Sequence, residues 1–488
     1  EGHGAGGAGE TMNLREQLRL TWWVTLRELV DQLRDWRILL PMGTLILFFP
    51  YLMNYAALRS IDFVNQYGGN LIAERIVPFL LMVVGFFPVT VSLVVALEAF
   101  VGEKERGTLE PLLSSPLADW QMYVGKLLAG SLVPLAASYI SMGLYLVGLL
   151  IQKIPFPPLD LLIQMLLLTA AQTVLMVSAA IIISTQSTSV RAANLLASFI
   201  VIPAALLIQG ESALIFWGTN QVLWLAIVAV LIVTALVVRL GLAHFQREAL
   251  IGREIDVLNL RWTLQLFWRR FTGGAHSLGE WYGKTLRATL FSMRFSVLIT
   301  LLVGVFAIFA TQLYANSWLG GFKLPEDKLS EALTQVQSSL LDGLPGSLSF
   351  GYIFGNNLRA EVLVLFFGVF SFGVGGLVIY LLNFALIGGV LSVVSWLGLS
   401  PWGIFLYGIL PHGILELPSV ILSTAAVLFI GLRLITPQKQ SGLGETLVES
   451  LADWAQVSLG IAFPLLVLAA LIETYLTPLL LIRFLTLP

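Results

Sequence analysis

Apolar residues run along most of this chain in stretches about as long as a helix needs to cross a bilayer, and polar residues gather between them. In the first half these stretches fall at Ile38 to Asn54, Pro78 to Phe100, Leu127 to Leu150, Leu161 to Ser184, Ala193 to Gln209 and Phe216 to Arg239. In the second half they fall at Phe291 to Leu313, Glu361 to Leu382, Asn383 to Leu399, a broken stretch of one or two helices from Trp402 to Ile435, and Val457 to Leu480. A different pattern precedes the first of them. Leu18, Trp22, Trp23, Leu26, Leu29, Val30 and Leu33 recur at spacings of three and four, with Arg15, Arg19, Arg27, Arg34 and Arg37 between them or just beyond. That alternation predicts a helix lying in the membrane interface. The expected fold is an all-α polytopic integral membrane protein with about eleven or twelve transmembrane helices and an N-terminal interfacial amphipathic helix.

Composition points the same way, with 57% hydrophobic and only 11% charged residues in 488. A net charge of -2 gives no basic excess of the kind nucleic-acid binding needs. The chain has no cysteine, which excludes disulfides and thiolate metal ligands. Of its four histidines, His3, His244 and His276 lie outside the apolar runs and far apart, which argues against a catalytic zinc centre. The glycine-rich start lacks the apolar core of a cleavable signal, so residues 1–13 are expected to be a disordered tail or expression remnant, with Met12 as a natural start.

Basic residues sort by side. Arg15 to Arg37, Arg106 with Lys126, Arg191, and the run from Arg239 to Arg287 fall on one face if the spans alternate, while the opposite loops carry only Arg59, Arg75 and Lys153. The positive-inside bias makes the richer face cytosolic and the N-terminus cytoplasmic.

One such loop carries unusual charge. From Glu98 the chain reads Glu-Ala-Phe-Val-Gly-Glu-Lys-Glu-Arg-Gly-Thr-Leu-Glu-Pro-Leu-Leu-Ser-Ser-Pro-Leu, and continues to Tyr123-Val-Gly-Lys126. Charge this dense needs water or a protein partner. Glu98, late in its span, can reach water or an arginine. The pattern resembles the first cytosolic loop of type-2 ABC exporter permeases. The resemblance implies a surface that meets a separate ATPase subunit, formed by Glu103, Lys104, Glu105, Arg106, Glu110, Leu112, Leu113, Pro116 and Lys126, with Arg19 and Arg27 contributed by the interfacial helix. The alternative is a solvated loop whose charges only fix topology.

Between the halves, Trp262, Trp268, Arg269, Arg270, Trp281 and Tyr282 describe a membrane-surface linker or a second docking surface. Beyond it, Tyr314 to Arg359 forms an external segment in which Leu329, Leu333, Val336, Leu340 and Leu341 predict an amphipathic helix. The second half is similar to the stage II sporulation protein M family. The similarity rests on Phe354-Gly-Asn-Asn-Leu-Arg359, the glycines around Gly373 to Gly376, Asn383 with Gly388 and Gly389, and above all Leu410-Pro-His-Gly-Ile-Leu-Glu-Leu-Pro418.

Pro411 and Pro418 are expected to bracket a short helical turn that carries His412 and Glu416 four residues apart on one face. An imidazole and a carboxylate in an apolar region need partners. Asn383, Asn356 and Asn357 are the candidates, in a structural polar cluster or a site for a headgroup or proton. A hydrolytic centre is disfavoured, because neither His-Glu-x-x-His nor Gly-x-Ser-x-Gly occurs. Glu473 is read as interfacial.

The expected domains are a permease-like region at 14–243, a basic and aromatic linker at 244–290, a sporulation-M-like region at 291–437, and a polar linker with a final span at 438–488. No Gly-x-x-x-x-Gly-Lys-[Ser/Thr] phosphate loop occurs, so ATP hydrolysis by that route is excluded here. These features describe a transport subunit rather than an enzyme, with no cofactor and no metal of its own. ATP and Mg would be bound by an ABC ATPase partner, in two copies by analogy. The permease would form a homodimer or pair with a related permease in a prokaryotic plasma membrane. The competing expectation is a non-transporting scaffold for envelope or differentiation machinery.

Overall fold

The computed structural model describes residues 13–67, 70–107, 114–115, 117–187, 189–190, 193–194, 198–217, 220–245, 260–319, 349–436 and 443–486. The chain divides into two compact units, Glu1–Leu258 and Asn259–Pro488. Every regular element among the described residues is a helix, and ten helices are long and apolar enough to cross a membrane. The chain is an all-α, multipass membrane protein.

Unit one contains α1 (Leu14–Arg34), α2 (Trp36–Tyr67), α3 (Asn70–Arg106), α4 (Asp119–Ile151), α5 (Leu159–Gln186), α6 (Ser198–Trp217) and α7 (Asn220–His244). Helix α1 is amphipathic as its spacing predicts. Leu18, Trp22, Trp23 and Leu33 remain exposed beside exposed arginines, while Thr21 and Thr25 are buried on the face turned to α4. Helix α3 packs on α2, α4 and α5. At one of its ends Leu97, Phe100 and Val101 join Met122, Tyr123 and Val177 in the larger apolar cluster.

Unit two contains α8 (Leu260–Thr272), α9 (278–292, with a π turn at Trp281–Leu286), α10 (Arg294–Leu319), α11 (Phe350–Phe370) and α12 (Val374–Trp396). It ends with α13 (Pro401–Ile435, with a π turn at Phe405–Ile409), α14 (443–475, with a π turn at Ser458–Ala462) and α15 (Thr477–Thr486). Helices α10 and α12 pair closely, and α13 packs on α11 and α14.

Three expected boundaries are corrected. The stretch ending at Gln209 continues as α6 to Trp217, so Glu211 lies inside a helix instead of a loop. The spans expected at Glu361 to Leu382 and Asn383 to Leu399 are α11 and α12, separated at Ser371 to Gly373. Here Phe372 and Gly373 take φ of 53° and 92°, and the Ser371 hydroxyl accepts the Gly375 N–H at 2.6 Å. A three-residue turn inside an apolar run leaves little compositional trace, whereas Arg359 and Glu361 imitate an edge. Pro411 and Pro418 also do not bracket an isolated turn. Pro411 follows the π turn inside α13, at the beginning of its α segment Leu410–Ile435, and Pro418 lies within that segment. The external helix expected around Leu329 to Leu341 lies outside the described residues.

Gly431 marks a close approach in unit two, since a Cβ there would overlap the carbonyl oxygen of Phe372. Gly431→Ala is therefore expected to destabilise by about 1–3 kcal/mol, because backbone has to move. The Gly389→Ala control meets nothing closer than 3.9 Å and should keep the wild-type thermal midpoint in detergent.

Candidate functional site

The first site is built where α1 lies against the start of α4. Ala118 precedes α4, and its N–H donates to the Gln121 side-chain oxygen at 2.7 Å, while the amide of Gln121 donates to the carbonyl of Gln17 in α1 at 3.2 Å. One turn on, the Thr25 hydroxyl lies 3.3 Å from the Gly125 carbonyl oxygen. A Cβ on Gly125 would come within 2.6 Å of Val24, so the glycine of the Gly-Lys pair is what lets the two helices touch.

Lys126 follows at the centre of the contact, its side chain only 1% exposed. Its Nζ donates to Glu28 of α1 at 2.9 Å and to the Ala99 carbonyl of α3 at 2.9 Å, and lies 3.1 Å from Glu103 of α3. The Phe100 ring centroid is 5.0 Å away. An ammonium has three N–H donors, and three oxygens surround this one. Buried charge is tolerated when it is paired and hydrogen-bonded. One lysine thus ties three helices together.

Of the residues expected to couple to a partner, Lys126 is buried and Glu103 half-buried, and the lysine pairs with both Glu103 and Glu28. Arg19, Arg27, Glu105 and Arg106 are exposed, and Lys104 is half-buried. Glu105 accepts the Val190 N–H at 2.8 Å, and Arg106 lies 3.8 Å from Glu98, an acid expected to reach water or an arginine. Glu110, Leu112, Leu113 and Pro116 lie outside the described residues.

Several polar residues of α5 find partners within unit one. Ser184 accepts the N–H groups of Phe100 and Val101 at 3.0 and 3.1 Å. Gln172 donates to Glu211, a buried carboxylate of α6 that the sequence reading missed. An acid in the short Gln209-Gly210-Glu211-Ser212 stretch between two apolar runs was its only signal.

The second site is in unit two. His412 Nε2 lies 3.9 Å from Glu416 Oε2, as the spacing of four predicts, and His412 Nδ1 lies 3.1 Å from the Thr477 hydroxyl. Glu473 joins them, so that one donor atom from each of His412, Glu416 and Glu473 falls within 4.8 Å of the others. Glu473 is half-buried here. Glu361, in the interior of α11, adds a further carboxylate, with Ser419 Oγ 2.9 Å from it and 2.8 Å from the Ala462 carbonyl. The asparagines behave differently. Asn383 is exposed and donates to the Ile379 carbonyl of its own helix, and Asn356 is exposed. The buried amide nitrogen of Asn357 has no hydrogen-bond partner among the described residues.

A third cluster fastens the segment expected as a surface linker. Asp453 of α14, with its side chain 1% exposed, receives Arg270 of α8 in a bidentate pair at 2.7 and 2.9 Å and Arg433 of α13 at 2.9 Å, while Arg433 also reaches Glu449 at 3.1 Å. The hydrogen bond and charge of Asp453 hold the Arg270 guanidinium above its already high ordinary range. Gln456 donates to the carbonyls of Arg270 and Phe271 and accepts from Thr289. Glu449, Asp453 and Gln456 are spaced by four and three, a polar helix stripe that could have revealed the contact.

Residues 22–215 match the family model described as ABC-2 family transporter protein, and residues 295–478 match that of stage II sporulation protein M. The chain thus joins an ABC-2 transporter permease region to a stage II sporulation protein M region, in the order that its motifs point to, and its first region is a membrane transporter component. The second match runs past Pro437, taking in α14 and the first two residues of α15. No curated protein matches the chain.

Proposed function

We propose that this chain is the membrane-spanning permease subunit of an ABC-type exporter in a prokaryotic plasma membrane, driven by a separate ATPase subunit that binds ATP and Mg on the cytoplasmic side. The observation that carries the reading is the Lys126 clamp. It ties amphipathic helix α1 to the ends of two long spans, so a displacement of α1 or the α3–α4 loop is delivered to α3 and α4 as a unit. Arg19, Arg27, Glu105 and Arg106 are the exposed charges through which a docked ATPase would apply that displacement. Two ATPase copies beneath a dimer of permeases complete the assembly, and alternation between inward and outward states follows from their closure.

A phosphate-loop ATPase encoded beside this chain is the partner to test. Co-expression should yield a complex, and Arg19→Glu with Arg27→Glu should weaken it by tenfold or more while leaving the size-exclusion profile of the permease unchanged. Undiminished binding would overturn the docking surface. In proteoliposomes an exporter stimulates ATP hydrolysis when its substrate is present. Hydrolysis indifferent to lipids, peptides and glycans would favour the scaffold alternative, to which a sporulation-M region with a compact unit of its own lends support.

A further inference from the structure

We propose that His412, Glu416 and Glu473 form a binding site for one divalent transition-metal cation, of which zinc is the best match. Three observations lead there. The first is the donor set and its spacing. His412 and Glu416 stand one turn apart on α13, an interval that puts two ligands on one helix face, and α14 supplies the third from a separate helix. The 3.9 Å between His412 Nε2 and Glu416 Oε2 is too long for a hydrogen bond. Two ligands on a single zinc ion lie roughly 3–3.5 Å apart, given metal–ligand bonds of about 2.0–2.2 Å. Small rotations of the side chains would therefore close the site around an ion.

The second is the orientation of the imidazole. Nδ1 is the nitrogen that meets the Thr477 hydroxyl, at 3.1 Å, and Thr477 is itself buried. An Nδ1–H donated to that hydroxyl leaves the Nε2 lone pair on the side of the two carboxylates. Metal-binding histidines are commonly held by an outer hydrogen bond of this kind.

The third is charge. Glu416 feels the carboxylates of both Glu473 and Glu361, and no lysine or arginine among the described residues forms an ion pair with any of the three. Carboxylates that approach one another within an apolar unit require positive charge or protons. A divalent cation provides two positive charges in a position that neither an arginine nor a lysine occupies.

The donor set also selects among metals. One imidazole and two carboxylates suit zinc and its neighbours, whereas calcium and magnesium seek six or more oxygens. Three protein ligands leave a fourth position for water. The scattered histidines that argued against a zinc centre are no obstacle, because this site needs only one. The π turn at Phe405–Ile409, immediately ahead of the α segment that carries His412, is a feature found frequently at functional sites in helices. The proposal is independent of transport, since it concerns unit two alone.

The test uses the full chain, purified in detergent, stripped with a chelator and then titrated with Co²⁺ or Zn²⁺ alone. The expected result is one zinc per chain by elemental analysis, and visible d–d absorption of a four-coordinate site with Co²⁺. His412→Gln and Glu473→Gln should lose binding by at least a hundredfold. Thr477→Val should weaken it by about ten- to a hundredfold, the effect typical of an outer-shell partner. His276→Asn, altering an exposed histidine, should change nothing. Wild-type protein that takes up no more zinc than the Glu473→Gln variant overturns the proposal. If a ligand variant fails to fold, the absence of d–d bands in the Co²⁺-loaded wild type does so equally.

Discussion

Replacing Lys126 with methionine is expected to destabilise unit one by about 3–5 kcal/mol, the cost of leaving the partners of a buried ion pair without their counter-charge. Methionine retains much of the side-chain volume, so the loss is electrostatic. Glu28 and Glu103 are 17% and 15% exposed and would face each other without the ammonium. The measurement is the thermal midpoint in detergent, together with protease accessibility of α1, which should rise as the helix leaves α4. A triple variant that adds Glu28→Gln and Glu103→Gln removes the stranded charge and should recover most of the stability. If the clamp transmits ATPase movement, that triple variant folds but no longer couples ATP hydrolysis to transport in proteoliposomes. A wild-type midpoint for Lys126→Met alone would mean that its burial is not what holds α1 to α3 and α4.

Asp453→Asn is the second large expected effect, again about 3–5 kcal/mol, and it falls in unit two. The substitution preserves shape but leaves two guanidiniums facing a neutral amide. The Arg270 arm is 42% exposed, so water screens part of its loss, whereas Arg433 is 13% exposed and bears most of it. Arg433→Met combined with Asp453→Asn should cost less than the sum of the single changes, since the two residues act as a pair. Equilibrium unfolding in denaturant, followed by tryptophan emission, reads both. Additive losses would show that the two side chains contribute separately.

Much of the fold was legible along the chain because a bilayer allows few solutions. Backbone groups in hydrocarbon must be satisfied within a helix, so long apolar runs locate spans and the charges between them mark loops. The alternation of arginine with leucine and tryptophan identified α1 for the same reason. Less legible were interruptions without a change in polarity. The turn at Ser371 to Gly373 falls inside an apolar run, and Glu361 and Glu211 lie in helix interiors although an acid ordinarily marks a boundary. Each was misplaced because composition reports average surroundings, and a single buried carboxylate depends on one particular neighbour such as Ser419 or Gln172.

The candidate sites divide along the same line. His412 and Glu416 were identifiable because a helix itself sets their separation. Their partners were not, since Glu473 and Thr477 come from helices whose approach depends on packing far along the chain, while the expected Asn383 turns to its own backbone. Lys126 was recognised as part of a charged loop, but the loop pattern does not say which charges face outward.

Local periodicity and the solvent around each segment were enough to establish the helical class, the rough place of most spans, the amphipathic start and the two modules. It took the packed molecule to establish that Lys126 points inward to Glu28 and Glu103, that Asp453 gathers Arg270 and Arg433, and that Glu473 meets His412. Those outcomes rest on pairing between distant segments, where the cost of burying a charge is offset only once a second helix brings the opposite one.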